Sequence, residues 1–499
     1  MSTGAQQEAR GIGVNLLTLF AQASLPAFHV QLARALGESG YGVYRTATTF
    51  VDVLSVITMF GMDLAITRRV SIARAANDEA GAVAAVGTAL RVVLLSGLAV
   101  SLLVFVSAPS VAAWQQSPQL VTPLRTLVLL PIAYHVASIF LIATQARMVM
   151  RYDFWARGLF QPLVLLGATT LVLRLGGGIV GACFAVVTGM AATSLLAGRF
   201  YSRELPLGPT LAAIVRNPMD WGLVRMGLPG VVLGIVWGLQ GSVDTLFLGH
   251  YRGSADVGAY GACVLYVVSL SQVRGAFYPV IAATLPPMLV KGDKAATNEF
   301  IRRQTRWVAL LAMPLCVLFA GFGDGLLAIF GGEFLRAAPA LAILSLGHLT
   351  GALAVPAYVL LLGGKARYST IAALTCLVFQ LVALPILVPR YGLIGAAVSS
   401  ASGMALSQVV QLGFAWSIER VHGFSVGLAK VAVAALAGFV CGRGLFQWMP
   451  YPLIVRFFVG VAVAALVYAT VLVSLGLRED EREMVGAGWQ KVRARLSRD

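Results

Sequence analysis

The chain has 499 residues, of which 58% are hydrophobic and 12% are charged, and its mean hydropathy is +0.83. This composition excludes a soluble globular protein of that length and indicates a chain embedded in a membrane. The formal net charge of +16 does not predict a nucleic-acid partner, because most basic residues lie in alternate loops between apolar segments, which is the positive-inside pattern.

About fourteen apolar segments follow one another along the chain, and most are long enough to cross a bilayer as a helix. They are predicted at residues 11–32, 43–66, 83–106, 126–145, 158–174, 179–197, 224–249, 258–284, 307–330, 338–362, 369–388, 393–416, 426–446 and 454–476. The first segment is not a cleavable signal peptide, because it is too long and contains Asn15, Gln22 and Pro26. We therefore predict an all-α integral membrane protein of about fourteen transmembrane helices, with both termini in the cytoplasm.

A string from the first loop recurs near the middle of the chain. LARALGESGYGVYR at 32–45 resembles GHYRGSADVGAYG at 249–261, at an offset of 216 residues. The shared residues are Gly37, Gly42 and Tyr44 in the first string and Gly253, Gly258 and Tyr260 in the second. The next residue differs, being Arg45 in the first string and Gly261 in the second.

A second pair of strings repeats at nearly the same offset. GGGIVGACFAVVTGM at 176–190 resembles RYGLIGAAVSSASGM at 390–404, 214 residues later. The matched residues are Gly178, Gly181, Gly189 and Met190 with Gly392, Gly395, Gly403 and Met404. The offset maps spans one to six onto spans seven to twelve, which predicts two parallel repeats about an axis along the membrane normal, with substrate held between them.

The predicted organisation has five parts. They are an N-terminal six-helix lobe at 1–200, a cytoplasmic linker at 201–222, a C-terminal six-helix lobe at 223–418, an appended helix pair at 419–477 and a cytoplasmic tail at 478–499. The pair either lines a lipid-facing groove or merely packs on one lobe. The amphipathic pattern of the tail fits an interfacial helix on the anionic leaflet, with a solvated tail as the alternative.

Charged residues inside the spans are the candidate functional residues, since a charge at the bilayer centre costs roughly 2.5–3.5 kcal/mol. Arg274 lies 16 residues into its span, at a depth of roughly 24 Å, so we expect it to face a polar interior. Asp52 lies near mid-depth, and Arg45 lies seven residues earlier on the same helical face. Arg91 lies roughly 12 Å into span three.

Two interpretations of these charges remain open. In the first, Arg45, Arg91 and Arg274 form a positively charged lumen with Asp52 as its central carboxylate. Such a lumen suits an anion, because guanidinium groups bind phosphate oxygens in a bidentate manner. In the second, Arg91, Asp52 and Asp63 form buried ion pairs that lock the first half together.

Four residues are candidates for a lumen or coupling role. Asp52 lies near mid-depth, whereas Asp63 and Asp244 lie nearer the ends of spans two and seven. His29 titrates near neutrality, with a packing histidine as the alternative. The sequence shows no zinc-ligand spacing, P-loop or paired carboxylates near an exit, and its five cysteines lie in apolar runs without a CxxC pair. We therefore predict no enzyme, no cofactor and no metal site.

The residues also carry a family resemblance. The string LAR.LG...YG.Y ahead of GMDLAITRRV resembles the start of bacterial polysaccharide flippases of the Wzx type, and YGLIGAAVSSASGMALSQVVQ resembles their twelfth span. The layout of six, six and two spans is that of the multidrug/oligosaccharidyl-lipid/polysaccharide exporter superfamily. These motifs are concentrated in spans one, two and twelve.

The resemblance implies a flippase of the bacterial inner membrane that works by alternating access. It would move an undecaprenyl-diphosphate-linked oligosaccharide, such as an O-antigen repeat unit, from the cytoplasmic to the periplasmic leaflet. The implied partners are this lipid-linked anionic oligosaccharide, membrane lipid, a polysaccharide polymerase and other assembly proteins. The alternatives are a lipid II flippase and a cation-coupled multidrug antiporter of the same superfamily.

Overall fold

A computed structural model of the protein describes residues 24–476, and every regular element in that range is a helix. The first half contains α1 (Ser24–Met59), α2 (Met62–Ala75), α3 (Glu79–Trp114), α4 (Leu130–Ala146), α5 (Gln161–Arg174) and α6 (Gly178–Tyr201). Short helical turns at Pro118–Leu120, Val121–Thr126 and Leu127–Leu129 precede α4, and Arg151–Asp153 and Phe154–Phe160 precede α5. The all-helical prediction is confirmed.

The second half begins with a short helix in the predicted linker, where the sequence had indicated only a loop. Its helices are α7 (Leu207–Arg216), α8 (Trp221–Gln240), α9 (Val243–Arg252), α10 (Ser254–Lys291), α11 (Lys294–Gly321), α12 (Ala338–Leu353), α13 (Ala366–Phe414), α14 (Val426–Trp448) and α15 (Leu453–Ser474). Shorter segments lie at Gly323–Leu327, Gly332–Ala337, Ala357–Leu362 and Ala415–Glu419.

Side-chain caps mark where several spans begin. Asp78 accepts a hydrogen bond from the backbone N–H of Gly81 at 2.8 Å, before α3, and Asp293 accepts one from Ala296 at 3.0 Å, before α11. Asp220 and Ser425 act in the same way before α8 and α14. Each cap satisfies a backbone donor that the first helical turn leaves free.

The chain reverses direction at the glycines of both sequence repeats. Gly37 (φ 68°, ψ 175°) and Gly253 (φ 83°, ψ −177°) have nearly the same conformation, and Gly178 and Gly392 share a φ of 55°. Residues with a Cβ rarely adopt these angles. The ring centroids of Phe28 and Tyr44 are 6.3 Å apart, whereas a straight helix would separate them by about 24 Å, so α1 consists of two antiparallel arms.

The number of spans is only partly settled by the helices. Within residues 24–476, eleven helices are long and apolar enough to cross a membrane. Ala366–Glu419 covers two predicted spans, and Pro26–Ala75 covers span two and the end of span one, while predicted span seven is divided between α8 and α9. The count of fourteen therefore stays a prediction. Most of span one and the tail at 478–499 lie outside the described residues.

The two halves meet mainly along α1 and α10, and α8 packs against α1 and α2. The appended helices α14 and α15 pack against each other, and α14 also packs against α11. Large apolar side chains such as Leu102, Leu195 and Leu466 are exposed, as expected for a surface in contact with lipid.

Candidate functional site

The two halves touch closely at the end of the molecule where Gly37 and Gly253 reverse the chain, which we call the hairpin end. A Cβ added to Gly42 would overlap the carbonyl oxygen of Ser254 and lie 2.9 Å from the nitrogen of Gly258. A Cβ added to Gly258 would overlap the carbonyl oxygen of Glu38 and lie 3.1 Å from the nitrogen of Gly42. The two contacts are reciprocal at the repeat offset, so α1 and α10 cross about a local two-fold axis.

Ion pairs tie the halves together beside this crossing. The guanidinium of Arg336, which precedes α12, lies 2.9 Å from the carboxylate of Glu38 and 2.5 Å from that of Asp256. The carboxylate of Glu333 accepts a hydrogen bond from the backbone N–H of Glu38 at 3.2 Å. Glu38 belongs to the first half and its partners to the second, so these contacts hold the hairpin end closed. Sequence reasoning did not find this cluster, because its members lie about 300 residues apart in the chain.

Arg45 lies one helical turn beyond the crossing, and its side chain runs over the backbone of the other half. A Cβ added to Gly261 would lie 3.0 Å from Nε of Arg45 and 3.1 Å from its Cγ. Gly261 is the repeat counterpart of Arg45. The Nε atom is buried and has no hydrogen-bond partner among the described residues.

Beyond Arg45 the two helices diverge. Asp52 follows Gly42 and Arg45 on one face of α1, and Val268 occupies the counterpart position on α10. Gly42, Gly258 and Gly261 are buried and Arg45 is half-buried, whereas Asp52 and Val268 are exposed. The two helices therefore no longer cover each other at the level of Asp52, and we call the region between them beyond Arg45 the space between the halves. No ion-pair partner for the Asp52 carboxylate occurs in the described part of the chain.

Arg274 lies on α10, thirteen residues after Gly261, which is about 20 Å along the helix. Its guanidinium lies 5.4 Å from the ring centre of Tyr358, and that ring lies 5.3 Å from the ring of Tyr278. Arg274 is partly exposed, and its carbon stem does not need to reach the interface because the aromatic face stabilises the cation locally.

Arg91 has a structural role that differs from the predicted ones. Its Nε donates to the carbonyl oxygen of Ile214, and its Nη2 donates to those of Ala213 at 3.1 Å and Asn217 at 2.7 Å. These carbonyls lie at the C-terminal end of α7, where backbone acceptors lack helical partners. Arg91 therefore fixes the linker helix to α3 and pairs with neither Asp52 nor Asp63. Asp63 is exposed in the first turn of α2.

Asp244 is buried inside the second half, in a polar pocket that the sequence did not indicate. Its carboxylate accepts hydrogen bonds from the hydroxyls of Tyr260 and Ser400 at 2.6 Å each, and from the backbone N–H of Thr245 at 2.6 Å. Gln380 donates to the hydroxyl of Ser400 at 3.4 Å. No described cation pairs with Asp244, so the pocket holds a carboxylate stabilised by neutral donors alone.

The first half has no such pocket at the counterpart position. Phe28 occupies the place of Asp244, and its ring packs against Tyr44, the counterpart of Tyr260. His29 is buried, and its Nδ1 lies 3.2 Å from the hydroxyl of Tyr41. Its contacts are those of a packing histidine. Within the described residues, no three His, Cys, Asp or Glu side chains are placed to hold a metal ion.

An apolar cleft with a volume of about 640 Å³ lies between α10, α11, α14 and α15. Its walls include Leu315, Phe322 and Tyr468, and its few polar residues include Ser269 and Gln272 from α10. Because α10 also carries Arg274, the cleft and the space between the halves share one helix. The appended pair thus forms part of a groove.

The sequence of the chain matches a family model and two known proteins. A family model described as "Polysaccharide biosynthesis protein" matches residues 9–292. Stage V sporulation protein B of Bacillus subtilis is 23% identical over 454 residues, which cover 83% of each chain. An uncharacterized membrane protein of Methanocaldococcus jannaschii is 26% identical over 208 residues, 40% of this chain and 39% of that protein.

Two solved structures show the same fold. The lipid II flippase MurJ in its inward closed conformation has a TM-score of 0.70, with 12% identity, over 91% of this chain and 98% of that one. An inward-facing multidrug resistance transporter of the MATE family, from the MOP superfamily, has a TM-score of 0.64, with 14% identity, over 80% of this chain and 94% of that one. The chain thus has the fold of these two proteins.

Proposed function

The chain belongs to the polysaccharide biosynthesis protein family, and from that premise we propose that it is a flippase for an undecaprenyl-diphosphate-linked oligosaccharide. It transfers this substrate from the cytoplasmic to the periplasmic leaflet of the bacterial inner membrane. The observation that carries the proposal is the space between the halves, which begins at Arg45 and has Arg274 on one of its two main helices.

The charge of this space fits a diphosphate. Arg45 has a buried Nε without a described partner, and Arg274 contacts aromatic rings and no described carboxylate. A guanidinium that is not neutralised by a carboxylate is available to bind phosphate oxygens, and such charge-assisted bonds are about twice as strong as neutral ones. Asp52 faces the same space, and its negative charge disfavours the binding of a phosphate close to it, near mid-depth.

The hairpin end is the outer gate in this proposal. With the basic loops on the cytoplasmic side, the contacts of Gly42 with Gly258 and of Glu38 with Arg336 lie at the periplasmic side. The closed gate lets the saccharide and diphosphate enter the space between the halves from the cytoplasmic side. Separation of α1 and α10 at the gate then releases them outward, as in alternating access between two repeats.

The apolar cleft beside α10 is the proposed path for the lipid chain. Burial of each methylene in an apolar site is favourable by about 0.8 kcal/mol relative to water, so the isoprenoid stays in the cleft or in lipid while the head group crosses. For coupling, we propose Asp244, because a buried carboxylate without a cation gains most from binding a proton or a metal cation.

The first test measures on which leaflet the lipid-linked oligosaccharide accumulates when the protein is depleted and variants are supplied. Arg274→Ala should leave the oligosaccharide on the cytoplasmic leaflet, whereas Arg274→Lys should restore part of the transfer because it keeps the charge but loses the bidentate fork. Asp244→Asn, tested alongside, should make transfer insensitive to a proton or cation gradient. Oligosaccharide that still reaches the periplasmic leaflet without the protein would refute the flippase proposal.

A lipid II flippase is the second candidate, favoured by the TM-score of 0.70 with MurJ. Both substrates carry a diphosphate on a polyprenyl chain and differ in their saccharides, which the described contacts do not distinguish. Lipid II that accumulates in the cytoplasmic leaflet after depletion, with normal transfer of polysaccharide precursors, would select this function. Efflux of cationic drugs without an effect on either lipid would select the multidrug antiporter.

A further inference from the structure

The two halves are unequal at the axis that relates them. One turn beyond the reciprocal contact of Gly42 with Gly258, the counterpart positions hold Arg45 and Gly261. The side chain of Arg45 occupies the space that a side chain at position 261 would need.

The packing leaves room for only one side chain. The Cβ position of Gly261 lies 3.0 Å from Nε, 3.1 Å from Cγ and 3.4 Å from Cδ of Arg45. Contacts of 3.0–3.4 Å are tighter than nine in ten real Cβ contacts, and three consecutive atoms of the arginine side chain are involved. Since Cγ, Cδ and Nε are all in contact, an added methyl group pushes the middle of the side chain, and not only its tip, away from Gly261 by a few tenths of an ångström.

The position of Arg45 also depends on the gate. Its stem lies on the backbone of α10 only while α1 and α10 are in contact at the hairpin end. Tyr44 and Tyr260, beside the two counterpart positions, are both buried, which fixes the backbone on either side. When the gate opens, the surface under Arg45 is withdrawn.

We propose that Gly261 is a positioning residue for substrate binding, which holds the Arg45 guanidinium on the axis between the halves while the outer gate is closed. This inference rests on the proposed function, and the ligand class is the diphosphate of a polyprenyl lipid. Both halves contribute to the diphosphate site. Arg45 supplies the positive charge, and Gly261, which has no side chain, leaves room for Arg45. Opening of the gate removes this support and weakens binding on the outer side.

The test measures binding of undecaprenyl diphosphate to the full-length purified protein in detergent, with uncharged undecaprenol as the reference ligand. Gly261→Ala should weaken binding of the diphosphate about tenfold, the size expected for loss of one charge-assisted hydrogen bond. It should leave undecaprenol binding unchanged, which a general loss of structure would not do. Gly413→Ala is the matched control, because a Cβ there meets nothing within 4 Å.

The exchange variant Arg45→Gly/Gly261→Arg returns one guanidinium to the axis from the other half. Recovery of diphosphate binding to within about threefold of the native protein would support the proposal. Binding that stays as weak as in Arg45→Gly, in a variant that elutes as a folded protein, would overturn it. If the exchange variant does not fold, Gly261→Ala and Gly261→Val decide, since equal affinity in these variants and the native protein also overturns the proposal.

The affinities of the native protein for the two lipids test the flippase proposal separately from the role of Gly261. A native protein that binds undecaprenol and undecaprenyl diphosphate equally well refutes the diphosphate flippase itself. A native protein that prefers the diphosphate, together with an Arg45→Ala variant that has lost this preference and a Gly261→Ala variant that keeps it, refutes only the role of Gly261.

Discussion

At the scale of single residues, equally unusual charges turned out to have different roles. Arg45 lies over Gly261 of the other half and Arg274 lies over the ring of Tyr358, whereas Arg91 donates its hydrogen bonds to the carbonyls at the end of α7. All three are arginines inside apolar spans, and the sequence gives no reason to separate them. The partner decides the role, because Arg91 uses three of its five N–H donors on carbonyl oxygens and is held by them against α7.

Arg91→Ala tests this distinction. The change should leave the affinity for undecaprenyl diphosphate unchanged, and it should lower stability by about 1–3 kcal/mol because buried carbonyl acceptors lose their donor. Thermal unfolding in detergent and limited proteolysis of the linker at 201–222 measure the loss. If Arg91→Ala weakens diphosphate binding as much as Arg274→Ala, with unchanged unfolding, Arg91 belongs to the lumen as the sequence predicted.

At the scale of helices, four glycines decide the course of the chain. Gly37 and Gly253 reverse it at the hairpin end, and Gly178 and Gly392 reverse it again between later helices. At Gly37, Gly253 and Gly392 the reversal takes a single residue, whereas three residues, 175–177, precede Gly178. The sequence repeats were visible because these glycines recur at one spacing, and the backbone angles give the physical reason for the recurrence.

Substitution of these glycines should therefore be costly in both halves. Gly37→Ala and Gly253→Ala should each destabilise the protein by about 1–3 kcal/mol, since an alanine must adopt a backbone region that is almost confined to glycine. Gly167→Ala serves as the control, because it lies within α5 and its added Cβ meets nothing within 4 Å. Melting temperatures of the three variants compare the effects, and equal values would show that the reversals tolerate a side chain.

At the scale of the whole molecule, the halves touch in more than one place. A Cβ added to Gly61 would overlap the carbonyl oxygen of Gly227 in α8, and at the hairpin end a small set of contacts joins the halves. The Arg336 guanidinium bridges Glu38 of the first half and Asp256 of the second, and the glycine crossing lies beside it. The Arg336 side chain is about half exposed, whereas the side chains of Glu38 and Asp256 are 11% and 16% exposed. Salt weakens these pairs through the exposed guanidinium, which fits the outer gate proposed above.

Removal of the ion pair should shift the gate and leave the fold intact. Glu38→Gln should raise the outward-open fraction a few-fold, which distances between spin labels at the hairpin ends of α1 and α10 can measure. The native protein should show a similar shift at high salt, and Glu38→Gln should not respond to salt further. Arg69→Ala, which breaks an exposed pair with Asp220 within the opposite end, is the control. An unchanged distance distribution in Glu38→Gln would contradict the role of the pair.

The sequence by itself determined what depends on local pattern. Apolar run length gave an all-helical membrane protein, glycine spacing gave the repeated strings, and charge depth selected Arg45, Arg91 and Arg274 as candidates, because each of these signals is read directly from positions along the chain. Only the tertiary structure decided what depends on distant partners. Arg91 donates to the end of α7, Ser400 donates to Asp244, and Arg45 packs on Gly261. The residues in each pair lie more than 100 positions apart in the chain. A periodic pattern shows which face of a helix is buried, but it does not show what that face meets.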